Sequence, residues 1–319
     1  MINIVYHCYL VNNWKEIVSE QLERIKLSGL YDKVDNFFVT VNLGQSNKDE
    51  FTNFVSQYSK LKIEFNENNS AEYPGIRKVR EIALNDDCKI FYLHTKGVSN
   101  RYVRIGKPEE STEKIKNIKA WRECLEYFLI DKWEDCVSKL DEFDNVGVTC
   151  SGGWYWGNFW WSKSEQIKKT PEVGIWGRWD YESWLNKNTP NAKNFEYYKM
   201  TYNPYITEIQ KSWYDGNPLY KGSDIKIISA KYGTLDFEID EGYTNLKLNV
   251  VNDVLDLVNE NLKSNNYKKI SLRADNETLG GDPIWGHKKF LTVEISPEED
   301  TNKVFKIGVH EGLTLTFEF

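Results

Sequence analysis

The sequence predicts an α/β domain followed by a small, mainly β domain. Over roughly the first 150 residues, apolar runs alternate with amphipathic segments, a pattern typical of a mostly parallel sheet joined by helices. From about Gly222 onward, apolar runs of β character follow one another instead. The chain has 319 residues, more than one core usually needs, so we predict domains at residues 1–221 and 222–319.

The elements follow from the spacing of apolar residues. Apolar residues at helical spacing, such as Val18, Leu22 and Ile25, indicate helices, and continuous apolar runs indicate buried strands. In the first domain we predict strands at 2–11, 34–41, 61–65, 89–93 and 145–150, and helices at 14–27, 51–58, 74–84, 113–140 and 159–168. In the second we predict strands at 225–232, 268–274, 289–295, 303–309 and 313–319, with a helix at 250–262.

The composition restricts the class of function. Hydrophobic residues make up 40% and charged residues 28%, as in globular proteins, and the net charge of −7 argues against a general nucleic-acid binder. We find no signal peptide and no apolar run of the about 20 residues that cross a bilayer, so we expect a cytoplasmic protein. Five scattered cysteines without a C-x-x-C pair predict reduced, mostly buried thiols rather than a zinc site.

The most informative segment is the fourth predicted strand and the turn after it. An apolar run leads into the basic turn His94-Thr95-Lys96-Gly97. In open α/β sheets the ligand lies outside the carboxyl ends of the strands, and His and Lys there can hold a phosphate. By the same rule, the end of the first strand, Tyr9 to Asn12, borders the ligand. The alternative is an ordinary basic surface turn.

Two aromatic clusters follow. Residues 153–161 are the most aromatic window, and they form either a buried plug or a sugar platform in which Gly157 permits close approach and Asn158 bonds hydroxyls. Residues 178–184 hold Asp180 and Glu182, which are candidates for a catalytic base. We expect the neighbouring tryptophans to desolvate these carboxylates and raise their pKa. Alternatively, Glu182 pairs with Arg178.

Together these motifs resemble a group of GT-A-type glycosyltransferases. The matching segments are His94–Gly97, Trp121-Arg122, residues 157–161 (GNFWW) and Arg178-x-x-x-Glu182-x-Trp184. The resemblance covers about residues 1–220 and implies a Rossmann-like GT-A domain. It implies a hexosyl- or pentosyltransferase that moves a sugar from a nucleotide-diphosphate donor to a glycan or other hydroxyl acceptor. A UDP-sugar is favoured over a GDP-sugar, and inversion over retention, although no residue decides either.

The resemblance assigns roles to individual positions. The catalytic residues are Glu182, which fits the family's glutamate, and Asp180. The nucleotide and diphosphate ligands are Tyr9, His94, Thr95, Lys96, Gly97 and Arg77. The sugar or acceptor ligands are Glu72, Trp121, Arg122, Gly157, Asn158, Trp160 and Arg178. For Arg77 and Arg80 a solvent-facing position on an amphipathic helix is favoured over a ligand contact. Arg122 is equally well explained as a structural clamp.

The chain departs from many GT-A enzymes in its metal-binding motif. Such enzymes carry an Asp-x-Asp after the strand that corresponds to 89–93, and it binds Mn²⁺ or Mg²⁺; this chain has His94-Thr95-Lys96 there. We therefore predict no metal ligand and leave a requirement for Mn²⁺ or Mg²⁺ open. The hypothesis is that Lys96, helped by His94, stabilises the leaving diphosphate instead of an ion.

Other functions remain open. The missing Asp-x-Asp is also compatible with a carbohydrate-binding protein that keeps a transferase-like fold without turnover. A glycoside hydrolase with Asp180 and Glu182 as its carboxylate pair is disfavoured, because it has no need for a phosphate-binding turn. The C-terminal domain loosely resembles a β-rich module of unassigned chemistry; an assembly role is favoured over glycan binding, for which Trp285 and Tyr232 are the candidates.

Overall fold

The structure is a computed structural model of the 319-residue chain. It describes residues 1–100, 108–151, 154–174, 177–187, 189, 191–215, 225–234, 251–285, 289–298 and 304–318, without the side chains of 100, 108–111, 178–179, 186 and 212. The chain divides into two compact units. The N-terminal unit comprises Met1–Tyr102 and Arg122–Lys199, and the C-terminal unit comprises Val103–Trp121 and Met200–Phe319.

A seven-stranded, mostly parallel sheet forms the centre of the N-terminal unit. The strands of this unit are β1 Ile2–Tyr9, β2 Asn36–Asn42, β3 Leu61–Asn66, β4 Lys89–His94, β5 Asn145–Gly147, β6 Cys150–Ser151, β7 Trp154–Tyr155, β8 Trp160–Lys163 and β9 Asn194–Glu196. The sheet order is β3-β2-β1-β4-β8-β5-β9, with β8 antiparallel to both neighbours and the other pairs parallel. The predicted α/β class is confirmed.

Helices of the N-terminal unit lie on both faces of its sheet. In chain order, the helices up to residue 182 are α1 Trp14–Leu27, α2 Leu30–Lys33, α3 Lys48–Phe54, α4 Tyr73–Asn85, α5 Pro108–Glu126, α6 Trp133–Lys139, α7 Ser164–Ile167 and α8 Arg178–Glu182, with a π-helical segment Tyr127–Asp131 between α5 and α6. The residues of α5 up to Trp121 belong to the C-terminal unit. Right-handed crossovers from β1 to β2 to β3 place α1 and α3 on one face, where Trp14 contacts Phe51. The return from β3 to β4 places α4 on the other face.

The order of the strands reverses between β1 and β4. The chain moves outward from β1 to β2 to β3 and then crosses back, so that β4 lies on the other side of β1. Open α/β sheets bind ligands outside the carboxyl ends of the strands at such a reversal of strand order. The end of β1 and the basic turn after β4 lie at this position.

The helix predicted over residues 159–168 is wrong, because β8 occupies its first half. Trp161 stacks on Phe91 at 4.9 Å and Trp160 lies 5.2 Å from Tyr92 across the β4–β8 pair, with both tryptophans buried. Only Ser164–Ile167 is helical. The burial of two aromatic pairs in the centre of the sheet outweighs the local helical spacing.

The C-terminal unit is built on antiparallel strands. Its elements include β10 Ile225–Gly233, β11 Val251–Asp253, α9 Leu255–Ser264, β12 Lys269–Arg273, β13 Phe290–Pro297, β14 Phe305–His310 and β15 Thr314–Glu318. The sheets are β11-β10-β13-β14 and β12-β15. The segment before them also belongs to this unit, because Asn203 N donates to Gly308 O at 2.6 Å. The predicted boundary at residues 221–222 lies outside the described residues.

Two further sequence expectations concern membranes and thiols. Across the described part of the chain, helices are too short or too polar to traverse a bilayer. All five cysteines are free thiols, and four of them are buried. The expectation of reduced, mostly buried thiols is therefore confirmed.

Candidate functional site

Three polar side chains lie side by side at the carboxyl end of the central strands. In the strand register His7 of β1 is opposite Thr40 of β2 on one side and His94 of β4 on the other. His7 Nδ1 lies 2.9 Å from Thr40 Oγ1. Strand alternation places this row on the same face as Val5 and Tyr92, which pack against α4. These polar side chains therefore form a row at the edge of the apolar core, and the candidate site is built on this row.

Glu72, immediately before α4, lies over this row. Its Oε2 accepts a hydrogen bond of 2.8 Å from the Tyr92 hydroxyl and one of 2.7 Å from Asn158 Nδ2. Its Oε1 lies 3.9 Å from His94 Nε2. Gly75 lets α4 lie close to the sheet, since a Cβ there would come within 2.9 Å of both His7 and Tyr92. One carboxylate oxygen is therefore held by two donors, and the other faces His94.

The surroundings keep Glu72 ionised. Burial alone would raise the pKa of its carboxyl, but His94, the Tyr92 hydrogen bond, His7 and the Asn158 hydrogen bond together outweigh burial and hold that pKa below its usual range. Burial also lowers the pKa of His7 to about 4, against the opposing effect of Glu72. At neutral pH the cluster therefore combines a buried anion with a neutral His7.

His94 is held between Glu72 and the aromatic segment. Its Nε2 lies 3.0 Å from Gly157 O, and because a carbonyl can only accept, Nε2 carries the proton and donates it. Gly157 and Asn158 have φ of 85° and 54°, a left-handed turn that suits Gly and is tolerated by Asn. This turn brings the Gly157 carbonyl and the Asn158 amide to the same site.

Asn158 and Trp160 are buried supports of the site and do not form an open platform. Asn158 is 1% exposed; its Nδ2 donates to Glu72 and its Oδ1 accepts from Trp160 Nε1 at 2.8 Å. Trp160 is likewise 1% exposed and packs in the core with Tyr92. Of the two alternatives for this aromatic window, the structure thus gives Trp160 the buried position, with Asn158 orienting Glu72.

The basic turn is fixed to the end of β1. Thr95 N donates to His7 O, and Tyr9 N donates to Thr95 Oγ1, both at 3.0 Å, so the β1–β4 ladder extends into the turn. Lys96 N donates to His94 O at 2.7 Å, and Gly97 follows with φ of 92°. Lys96 is 8% exposed. The structure therefore brings Tyr9 and the four turn residues together as the sequence predicted.

The two predicted catalytic carboxylates have different environments. Asp180 is about half exposed and accepts a hydrogen bond of 2.7 Å from Lys187, which lowers its pKa. The expected upward shift is therefore wrong for Asp180, because a neighbouring cation rather than a desolvating tryptophan dominates. Trp176 and the side chains of Arg178 and Trp179 lie outside the described residues.

Glu182 has an electrostatic effect on one member of the buried cluster. Burial raises the pKa of the Tyr92 hydroxyl, and the negative charges of Glu72 and then Glu182 raise it further, so Glu182 acts electrostatically on Tyr92. The residue before it, Tyr181, contributes its carbonyl at 3.5 Å from Asn158 Nδ2. Glu182 therefore interacts electrostatically with Tyr92, whereas Asp180 is paired with Lys187.

Arg122 belongs to a second polar network, on the α1 side of the sheet. It pairs with Glu20 and, at 3.3 Å, with Glu126. Gln21 Nε2 donates to Glu126 Oε1 at 2.9 Å and to His94 O at 3.4 Å. Burial raises the pKa of Glu126 against the opposing charges of Arg122 and Arg24. Arg122 is thus buried in an ion-pair network, and Gln21 of that network contacts the end of β4.

Three other predicted residues lie on α4 or in the C-terminal unit. Arg77 is exposed on α4, with its guanidinium 5.9 Å from the centre of the Tyr73 ring. Arg80 is partly buried on the same helix. Trp121 belongs to the C-terminal unit, where its ring lies 5.3 Å from Tyr205.

Sequence reasoning missed three members of the cluster: His7, Thr40 and Tyr92. A signal for His7 was present, because a histidine inside an otherwise apolar strand needs a buried polar partner. Thr40 and Tyr92 gave no such signal, since both residue types are common in strands. Their roles depend on the register between strands and on the position of α4.

The chain matches no protein-family model, and a search of curated proteins finds none significantly similar to it.

The donor chemistry of the site can be compared with that of a metal centre. The described residues include no group of three or more His, Cys, Asp or Glu side chains placed to hold an ion. The turn itself has His94 and Lys96 at the positions of the two carboxylates of an Asp-x-Asp motif, which does not fit Mn²⁺ or Mg²⁺.

Proposed function

We propose that this protein is a glycosyltransferase of the GT-A type, which transfers a sugar from a nucleoside-diphosphate donor to a hydroxyl acceptor. One observation carries the proposal: the turn with His94 and Lys96 lies at the carboxyl end of β4, beside β1, where the strand order reverses. Cationic donors at this position suit a diphosphate.

The leaving diphosphate is stabilised by His94 and Lys96. The ionised Glu72 carboxylate, 3.9 Å from His94 Nε2, favours the cationic form of the His94 ring, in which both ring nitrogens carry a proton. Lys96 is 8% exposed, so its charge acts through less water than that of a surface lysine. As the bond between the anomeric carbon and the diphosphate oxygen breaks, the electron pair leaves with that oxygen, and these two groups offset its charge.

Glu182 is the proposed base. It takes the proton of the acceptor hydroxyl while the acceptor oxygen forms the new bond to the anomeric carbon. A single displacement of this kind inverts the configuration at that carbon. What supports Glu182 over Asp180 is its action on Tyr92 beside Glu72, whereas Asp180 is held by Lys187.

Binding of UDP by isothermal titration tests the diphosphate site. The comparison uses wild type, Lys96→Ala, and Lys89→Ala as the matched control, because Lys89 lies at the other end of β4 and pairs with Asp141. Loss of a charge-assisted hydrogen bond of about 1.5–3 kcal/mol predicts at least tenfold weaker binding for Lys96→Ala only. Binding that is lost with EDTA would count against a cationic turn in place of an ion.

Activity is tested by a thermal-shift panel of UDP-, GDP- and dTDP-sugars, followed by a transfer or donor-hydrolysis assay with the donor that stabilises the fold. A transferase should show a higher melting temperature with its donor, and it should turn that donor over in the assay. A shift without turnover, with every acceptor and with water, would favour the binding protein. If no nucleotide sugar raises the melting temperature, the proposal is refuted.

A further inference from the structure

The described contacts of the Glu72 carboxylate are with the protein itself. Its Oε2 accepts hydrogen bonds from the Tyr92 hydroxyl and from Asn158 Nδ2, and its Oε1 lies 3.9 Å from His94 Nε2. A buried carboxylate with two donors on one oxygen keeps a fixed orientation. Its charge therefore acts on His94 from a constant position, which is a different role from the sugar contact that the resemblance assigns to Glu72.

The contact of His94 with Gly157 decides which ring nitrogen titrates. Nε2 donates its proton to Gly157 O at 3.0 Å, so the ring gains or loses its positive charge at the other nitrogen, Nδ1. In the neutral ring Nδ1 carries a lone pair, which can only accept a hydrogen bond and repels a phosphate oxygen. In the cation Nδ1 carries a second N–H. Donation from the ring to a diphosphate therefore requires the cationic form.

Charged and titratable groups act on the His94 region from several elements. They include Glu72 before α4, His7 on β1, Lys96 in the basic turn, Glu182 through Tyr92, and Glu126 through Gln21. His7 is neutral at neutral pH, because burial lowers its pKa to about 4. Lys96 opposes a positive charge on His94, whereas the ionised Glu72 favours it.

The interaction between Glu72 and His94 is mutual. Among the effects that lower the pKa of Glu72, the charge of His94 is the largest. By linkage, the ionised Glu72 favours the protonated ring by the same free energy. A neighbouring carboxylate is one of the features that move the charge of a histidine across physiological pH.

We propose that Glu72 is a positioning residue that keeps His94 in its cationic form at neutral pH, and that donor binding is thereby coupled to a proton on His94 Nδ1. The inference rests on the proposed function, because it takes the diphosphate of the donor as the ligand of His94. The charge of Glu72 stabilises the proton, and the proton supplies a charge-assisted hydrogen bond to a phosphate oxygen.

NMR titration of the imidazole rings in the ligand-free full chain tests the charge pair. The signals of His94 are assigned with His94→Gln, and their titration midpoint is compared in wild type, Glu72→Gln and Glu81→Gln. The control Glu81 is a carboxylate on α4 that pairs with Lys78 instead. An opposite charge at this distance shifts a titration by about 1–3 pH units, so Glu72→Gln should lower the midpoint by that amount and Glu81→Gln should leave it unchanged.

The reciprocal variant His94→Gln keeps the test decisive if Glu72→Gln does not fold. It removes the largest of the effects that lower the pKa of Glu72, so the titration midpoint of the Glu72 carboxyl carbon should rise. A His94 midpoint that Glu72→Gln leaves in place, or a Glu72 midpoint that His94→Gln leaves in place, would overturn the role of Glu72.

Isothermal titration of UDP at about pH 5.5 and about pH 8 tests the coupling to donor binding. The ratio of the dissociation constants of Glu72→Gln and wild type should rise about tenfold between the two pH values, because the variant alone loses the His94 proton in this range. Lys96→Ala should weaken binding by the same factor at both pH values, since lysine stays charged throughout.

The outcomes separate this inference from the proposed function. A ratio that does not change with pH, or equal loss of UDP binding by Glu72→Gln at both pH values, would overturn the coupling, and the equal loss would make Glu72 a direct or structural contact. Unmoved NMR midpoints with intact UDP binding would overturn the inference alone. Absence of UDP binding by wild type would refute the proposed function and the coupling together, and the NMR midpoints would still decide the charge pair.

Discussion

Asn158 donates a hydrogen bond of 2.7 Å to Glu72 Oε2, joining the aromatic turn before β8 to the N-terminus of α4. Both residues are buried, and the Tyr92 hydroxyl donates to the same oxygen. A buried carboxylate with two donors on one oxygen has a fixed orientation. The second oxygen is therefore directed towards His94 by residues from two other segments of the chain, β4 and the turn before β8.

Replacement of Asn158 should destabilise the fold in two separable ways. Asn158→Gly removes the amide but permits φ of 54°, whereas Asn158→Ala also places a Cβ in the left-handed region. We expect Asn158→Gly to lower the free energy of unfolding by about 1–3 kcal/mol, and Asn158→Ala by about 1 kcal/mol more. Denaturant titration measures both, and a Gly variant as stable as wild type would contradict the role of the amide.

Two buried tyrosines on opposite faces of the sheet form a matched pair. Tyr92 donates to the ionised Glu72, whereas Tyr6 donates to the neutral Gln21 at 2.6 Å. Because hydrogen bonds to charged groups are stronger, Tyr92→Phe should cost about 1.5–3 kcal/mol and Tyr6→Phe about 0.5–1.5 kcal/mol. Only Tyr92→Phe should raise the pKa of Glu72, as followed by carboxyl-carbon NMR. Equal costs and an unmoved Glu72 would refute this assignment.

Because of His7, the free energy of unfolding should decrease as the pH is lowered through a defined window. Its pKa is about 4 when folded and 6.5 when unfolded, so between these values the unfolded chain binds a proton that the folded chain does not. Stability is therefore full above pH 6.5 and declines towards pH 4, by about 3 kcal/mol. Glu72, whose pKa is also lowered, adds a loss only below the usual value of about 4.3.

The measurement is the free energy of unfolding of wild type and His7→Gln at a series of pH values. The substitution should remove about 3 kcal/mol from the difference between pH 6.5 and pH 4, whatever it does to stability at neutral pH. A slope that is identical in the two proteins would show that His7 is not the titrating group.

The two carboxylates of α8 should differ in their effect on sugar transfer. Glu182→Gln removes the proposed base and should lower turnover about 10²–10⁴-fold, the contribution usual for proton transfer by a side chain. Asp180→Asn loses only its pairing with Lys187 near the surface and should stay within about threefold of wild type. If Asp180→Asn lost more turnover than Glu182→Gln in a transfer assay, the base would be assigned to Asp180 instead.

Much of the N-terminal sheet could be predicted because its signals are local. The helix predicted at 14–27 begins and ends at the residues of α1, and the strand predicted at 61–65 differs from β3 by one residue. The helix prediction for 159–168 was wrong because the apolar spacing of this segment is compatible with a helix. Only its pairing with β4 makes part of it a strand. Short apolar runs carry this ambiguity until their partner is known.

The candidate site was predicted in part for the same reason. Residues 94–97 follow a recognisable strand, so their place at the sheet edge was accessible from sequence. The partners of Glu72 were not, since Tyr92 and Asn158 are distant from it along the chain and meet it only after α4 and β8 have packed. Likewise, nothing local separates the buried Tyr232 from the exposed Trp285.

By itself, the order of apolar runs and turns determined an α/β region followed by antiparallel strands, and put a basic turn at the end of the fourth strand. Only the tertiary structure decided which side chains share one environment, and therefore which carboxylate is buried and ionised and which pairs with a surface lysine. The physical reason is that periodicity reports one element at a time. Burial, hydrogen-bond partners and pKa depend on side chains that other elements bring from elsewhere in the chain.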